Sequence, residues 1–203
     1  MIVSKKHKLI FVKTKKTAGS TLEKLLFPHL GAEDVCTGSP RDNTPRINTS
    51  STDGHASWAK IQASYPTEWN NYFRFTIERN PWDKVVSSYY WHQAIKPDRF
   101  ANMNFEEYVM TCELLPVDWL NYTDNQGVKK VNKIFKYEEM EDMYLYLRYH
   151  FSLDISMGDV YNTKLKGDIR KERDYRKLHT NATIERVAKL FKNEIEMLGY
   201  SYE

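Results

Sequence analysis

The chain has 203 residues, of which 41% are hydrophobic, and its 30 Lys and Arg stand against 27 Asp and Glu for a formal net charge of only +3. That length suits one domain, 1–203, with a continuous core, and so small a charge excess excludes a generally nucleic-acid-like surface. Cys36 and Cys112 form neither a C-x-x-C pair nor a disulfide framework, as in a reducing compartment, and His7, His29, His150 and His179 show no metal-ligand spacing, so no metal site is expected.

The amino terminus reaches the first apolar run with no signal-like stretch and no membrane span, which leads us to expect a soluble cytoplasmic protein. Leu9-Ile10-Phe11-Val12 is a continuous apolar run, predicting a strand covered on both faces of an α/β sheet. Leu22, Leu25 and Leu26 then recur at helical spacing until Pro28. A short basic loop joins the two, with Lys13, Lys15 and Lys16 ahead of Gly19, Ser20 and Thr21. Such a turn presents unpaired helix N-terminal N–H groups, so an anion is the expected occupant. Gly19 permits close backbone approach, and Ser20 and Thr21 offer hydroxyls; the structural alternatives are a simple helix cap and solvated lysines. The nucleotide P-loop G-x-x-x-x-G-K-[ST] is not matched, because the first glycine is missing and Ser20, not lysine, follows Gly19. A metal-assisted kinase is demoted accordingly.

Thr37 to Gly54 reads as a long polar loop, and His55 to Tyr65 as a helix. Phe73, Phe75 and Ile77 alternate as one strand face, Asn80 suits an N-cap, and Pro81 suits the first turn of a helix running to about Ile95. Arg79 therefore sits at the carboxyl end of a strand, where open α/β sheets bind ligands and a guanidinium can grip phosphate through two hydrogen bonds. Ser87 follows two turns into the helix; the alternative for Arg79 is an ion pair with Glu78 or Asp83. Further on come a helix over Asn104–Leu114, a strand over Lys133–Tyr137 and a helix through about His150. The charged run from Lys164 to Lys177 reads as a solvated face, and Ile184 to Leu198 as one closing helix stopped by Gly199.

Phe-Val-Lys-Thr-Lys-Lys-Thr-Ala-Gly-Ser-Thr-Leu-Glu at 11–23 resembles the 5′-phosphosulfate-binding loop of sulfotransferases that use 3′-phosphoadenosine 5′-phosphosulfate (PAPS). Arg-Asn-Pro-Trp-Asp-Lys-Val-Val-Ser at 79–87 resembles their 3′-phosphate segment, and Gly54-His55-Ala56-Ser57, Phe135-Lys136-Tyr137-Glu138 and Glu196-Met197-Leu198-Gly199-Tyr200 extend the likeness along most of the chain. It is nearest to the carbohydrate sulfotransferases, those of the heparan-sulfate 2-O type among them. The resemblance implies an α/β, P-loop-like three-layer fold with a central, mainly parallel sheet flanked by helices. It implies an O-sulfotransferase with PAPS as donor, PAP as product, no metal, no nucleic-acid or membrane partner, and a hydroxyl-bearing acceptor of the glycan class. By position Lys16 matches the lysine at the bridging oxygen, Thr17, Ala18, Gly19, Ser20 and Thr21 line the 5′-phosphate with Lys13 and Lys15 beside them, Arg79 and Ser87 take the 3′-phosphate, and His55 is the general base. Family loops often place proline before the key lysine; Lys15 stands there, so Lys15 competes with Lys16 for the role. A basic loop before the last helix closes over the nucleotide in the family, which brings the 164–177 run into consideration.

These residue types suit the chemistry. A loose in-line sulfuryl transfer gathers charge on the leaving oxygen, where an ammonium compensates it, and a neutral imidazole can take the acceptor proton. Two other classes remain open from sequence: a P-loop-like nucleotide kinase, and a non-catalytic nucleotide- or polyanion-binding module that would tolerate loss of Lys16 and His55.

Overall fold

The computed structural model of the chain describes residues 1–39, 43–49, 53–163 and 169–203. Lys164 and Lys166 of the basic run, and positions 40–42 and 50–52 of the long polar loop, lie outside the described residues. The chain groups into two compact units, one from Met1–Glu78 with Leu120–Leu165 and the other from Arg79–Trp119 with Lys166–Glu203.

The first unit holds a five-stranded sheet of β1 (Ile2–Ser4), β2 (Leu9–Val12), β3 (Val35–Cys36), β4 (Phe73–Glu78) and β5 (Lys133–Lys136), in the order β3-β1-β2-β4-β5. β2, β4 and β5 pair in parallel, while β1 pairs antiparallel with both β2 and β3. Four of the five strands therefore point one way, the mainly parallel sheet expected. All four residues of β2 are buried, as a strand covered on both faces must be. The aromatic rings continue across the ladder, with Phe11 stacked on Phe75 at 5.2 Å and Phe75 meeting Phe135 edge-on at 5.8 Å. Helices α1 (Gly19–Leu26), α2 (Trp58–Ser64), α3 (Pro66–Asn71), α7 (Met140–Phe151) and α8 (Met157–Asn162) belong to this unit. Leu22, Leu25, Leu26, Met143 and Leu147 bring α1 and α7 into one apolar cluster with the sheet.

Three expectations need adjustment here. β1 was not anticipated, since three residues are too short for any periodicity to register. The polar loop carries backbone pairing, with Cys36 bridging Ile47 and Ser39 bridging Thr44. The helix expected from His55 starts only at Trp58 and stops at Ser64, because Pro66 begins a second helix.

The second unit is helical: α4 (Pro81–Ile95), α5 (Pro97–Phe100), α6 (Phe105–Thr111), α9 (Asn181–Leu190) and α10 (Lys192–Leu198). α4 has the limits its sequence predicts, with the Asn80 side chain accepting from Trp82 N–H and Asp83 N–H. The closing helix is two helices, divided at the wholly buried Phe191, whose φ of −104° and ψ of 23° interrupt the spiral; Gly199 ends α10 at φ 65° as expected. Tyr89, Tyr108, Val109, Val187 and Phe191 fill this unit's core.

That core also contains charge. Lys84 Nζ lies 3.0 Å from Asp118 Oδ2 with both side chains out of solvent, and Glu194 Oε1 accepts from Asp118 N–H and Trp119 N–H at 3.3 Å each. Desolvation pushes the Glu194 carboxyl above its ordinary range, against the pull of the Lys84 ammonium. A carboxyl raised in the folded state favours folding while protonated and opposes it once ionised. Glu194→Gln, which keeps the acceptor oxygen, is therefore expected to match wild type below about pH 4.5 and to gain in relative stability as pH rises through the raised folded value. Denaturant unfolding across a pH series reads the difference.

Candidate active site

The turn after β2 is fixed before any ligand is considered. Thr14 Oγ1 donates to the Ile77 carbonyl of β4 and lies 2.9 Å from Thr17 Oγ1, so the loop is stitched to the neighbouring strand as it leaves the sheet. Thr17 is wholly buried. Lys16 and Ala18 take positive φ, 61° and 60°, while Lys15 and Thr17 do not. Each left-handed L-residue costs about 1–2 kcal/mol, and alternating sign of φ is the pattern that turns successive N–H groups into one concavity. Ala18 is the N-cap of α1 and makes no side-chain cap bond. Ser20 and Thr21 lie inside the first turn, so the reading of either as a plain cap does not hold. The opening N–H groups of an eight-residue helix thus follow directly on a strained concave loop, an arrangement suited to an anion.

The three lysines diverge. Lys13 is buried, with Nζ 2.6 Å from Glu23 Oε2 and 3.1 Å from Ser20 Oγ. Glu23, itself wholly buried, also accepts from the Met1 α-amino group at 2.5 Å and from Thr37 Oγ1 at 3.1 Å. Lys15 is exposed, and Lys16 is half-buried at the strained position. Gly19 has a local reason to be glycine: a Cβ there would stand 2.7 Å from Lys13 Cγ. The close approach expected of a ligand at Gly19 is made, in this structure, by the Lys13 stem.

His55 is brought to the same loop. Its Nδ1 lies 3.2 Å from the Lys13 carbonyl oxygen. A carbonyl only accepts, so this bond requires the Nδ1–H tautomer, and in the neutral ring the lone pair then sits on Nε2. His55 precedes α2 and is half-buried.

Arg79 directly follows β4 and belongs to the second unit, where its guanidinium meets Asp83: Nε and Nη2 reach Oδ2 at 2.7 and 2.6 Å. Arg170 Nη1 reaches the other oxygen of Asp83 at 2.5 Å. The Asp83 pairing is the alternative that the sequence left open for Arg79. One carboxylate thus faces two largely buried guanidinium groups, leaving a surplus positive charge among the three. Ser87 is half-buried on α4. Sequence reasoning did not find Glu23, Thr14 or the Asp83–Arg170 pair. Asp83 was visible as the i+4 partner of Arg79, but nothing local signals a lysine paired ten residues away or an arginine eighty-seven residues away.

Among the described residues no group of three or more His, Cys, Asp or Glu side chains could hold a metal ion, and no helix is long and apolar enough to cross a membrane. Residues 1–201 match the model of a family described as the sulfotransferase family. No curated protein matches the chain in sequence. Among solved structures, mouse sulfotransferase SULT7A1, described as complexed with PAP, matches with a TM-score of 0.55 at 10% identity, covering 95% of this chain and 86% of that one.

The ion pair under the loop is open to test. Glu23→Ala leaves the Lys13 ammonium buried without its carboxylate and is expected to destabilise the protein by about 3–5 kcal/mol. Lys15→Ala, at an exposed position, is expected to change stability by no more than about 0.5 kcal/mol. Chemical denaturation of the two variants beside wild type measures both.

Proposed function

The chain belongs to the sulfotransferase family, and from that premise we propose that it is an O-sulfotransferase moving a sulfuryl group from PAPS to an acceptor hydroxyl of a carbohydrate. The observation that carries this reading is the turn itself: strained Lys16 and Ala18, the start of α1, and the ring of His55 bonded to the same loop. The PAP named with the mouse sulfotransferase is a ligand of the same chemical kind. A family match running through both compact units supports one sulfotransferase domain.

In this reading the backbone at Thr17, Ala18 and Gly19 and the hydroxyls of Ser20 and Thr21 hold the 5′-phosphate. Lys16 directs its ammonium to the bridging oxygen, where it stabilises the electron pair left as the sulfur–oxygen bond breaks. Its strained backbone favours it over Lys15, since such conformations collect at functional positions. Lys13 contributes through Glu23 and Ser20, and so supports the cradle from beneath. His55 Nε2 takes the acceptor proton as the acceptor oxygen bonds to sulfur. Arg79 and Ser87 bind the 3′-phosphate; a guanidinium has five N–H groups, and the Asp83 bonds engage one edge of it. A sulfuryl group carries less charge than a terminal phosphate, so no metal is assigned. The carbohydrate acceptor rests on the likeness of the two motifs to carbohydrate sulfotransferases. A cytoplasmic setting agrees with two buried thiols in free form, Cys36 and Cys112.

The test is labelled-sulfate transfer from PAPS to a panel of glycans, tyrosine peptides and small alcohols, with calorimetry on PAP alongside. We expect transfer to a glycan, a loss of at least about 100-fold in turnover for Lys16→Ala and for His55→Ala, and weaker PAP binding for Arg79→Ala. Turnover that survives both active-site changes would falsify the mechanism; transfer to peptide alone would move the acceptor to tyrosine.

A further inference from the structure

His55 precedes a seven-residue helix, α2, which by itself cannot hold an imidazole in one orientation. Its ring is anchored at the Lys13 carbonyl after β2. A second anchor lies three residues downstream. The indole N–H of Trp58, the first residue of α2, donates to the Thr123 carbonyl at 2.8 Å, and Lys130 Nζ sits over the Trp58 ring at 5.1 Å.

Thr123 and Lys130 belong to one tight turn. Thr123 bridges Lys129 in antiparallel register, and Asp124 Oδ1 accepts from Gln126 N–H at 3.0 Å and Val128 N–H at 2.9 Å. The other oxygen of Asp124 holds the Lys130 ammonium at 2.8 Å, which keeps that cation over the indole. At the root of the turn, the wholly buried Tyr122 donates its hydroxyl to Glu78 Oε2 at 3.2 Å, and Glu78 is the last residue of β4. The path is continuous: end of β4, Tyr122, the 123–130 turn, Trp58, His55, Lys13, end of β2.

We propose that Trp58 and the 123–130 turn form a brace that positions His55 for proton transfer. Trp58 is a positioning residue in this role and touches neither donor nor acceptor. The ring of His55 is fixed by one parallel strand and its backbone by the next, so the carbonyl bond that places the lone pair on Nε2 is maintained against rotation of χ1 and χ2. This inference rests on the assignment of His55 as base, made above. An indole suits the position because it combines a single directed donor with a large face for the cation, and phenylalanine would retain only the face.

The experiment compares wild type, Trp58→Phe, Lys130→Met and His55→Ala. Long-range nitrogen–proton NMR of histidine-labelled protein reads the tautomer of His55, calorimetry reads PAP affinity, and the sulfate-transfer assay reads turnover. We expect wild type to show the Nδ1–H form alone. Trp58→Phe should show mixed tautomers, PAP affinity within about twofold of wild type and turnover reduced about tenfold with the KM for PAPS unchanged. Lys130→Met, which leaves the indole hydrogen bond in place, should shift in the same direction by less, and it carries the test if Trp58→Phe does not fold. A single unchanged tautomer in the folded variants overturns the brace, whatever turnover does. Wild-type turnover in His55→Ala, with the tautomer still responding to Trp58→Phe, instead removes the base assignment and with it the catalytic purpose of the brace.

Discussion

The site is built over one buried carboxylate. Glu23, with no exposure to solvent, would cost several kcal/mol if left unpaired, and Lys13 at 2.6 Å supplies the compensating charge. Holding that pair draws the first turns of α1 against the residue that leaves β2. The stem of Lys13 then crosses the start of the helix, where only a glycine leaves room for it. The chain must reverse between Thr14 and Gly19, and it does so through two left-handed residues and a buried threonine. The shape of the turn thus depends on an ion pair buried beneath it.

Much of this was legible in the sequence, and the exceptions share a cause. The limits of β2 and α4 follow from features confined to a few adjacent residues: a continuous apolar run in one case, an Asn-Pro start in the other. The strand-to-helix turn itself was readable for the same reason. β1 and β3 were not, because strands of three and two residues owe their form to the pairing of Ile2 with both Phe11 and Cys36, a contact remote in sequence. The closing helix broke at Phe191 although its apolar spacing runs on through Ile195 and Leu198, since periodicity records which face is buried and says nothing of a local departure in ψ. Lys13 shows the same limit within the site: composition marked it as basic, while its direction was decided by Glu23.

Both units bury charge in small clusters. Under the loop, one carboxylate meets a lysine and an amino group, and around Lys84 one lysine meets Asp118 with Glu194 beside it. In each of them a buried carboxylate meets an ammonium group. Asp83 is likewise shared, by the guanidinium groups of Arg79 and Arg170. A guanidinium paired with a carboxylate along one edge can also present N–H groups to an anion. The pairing of Arg79 with Asp83 is therefore compatible with the proposed phosphate role.

Three lysines within four residues would repel one another if all faced the same way. The turn separates them by environment: Lys13 points inward to a carboxylate, Lys15 faces solvent, and Lys16 is half-buried on a left-handed backbone. Neutralising Lys13 lowers the potential against which a second ammonium must be held near the loop, so Glu23 lessens the electrostatic cost of placing Lys16 there. The strain at Lys16 and Ala18 thus accompanies a change of surroundings from a buried, paired lysine to a half-buried one within a span too short for any regular element to achieve it.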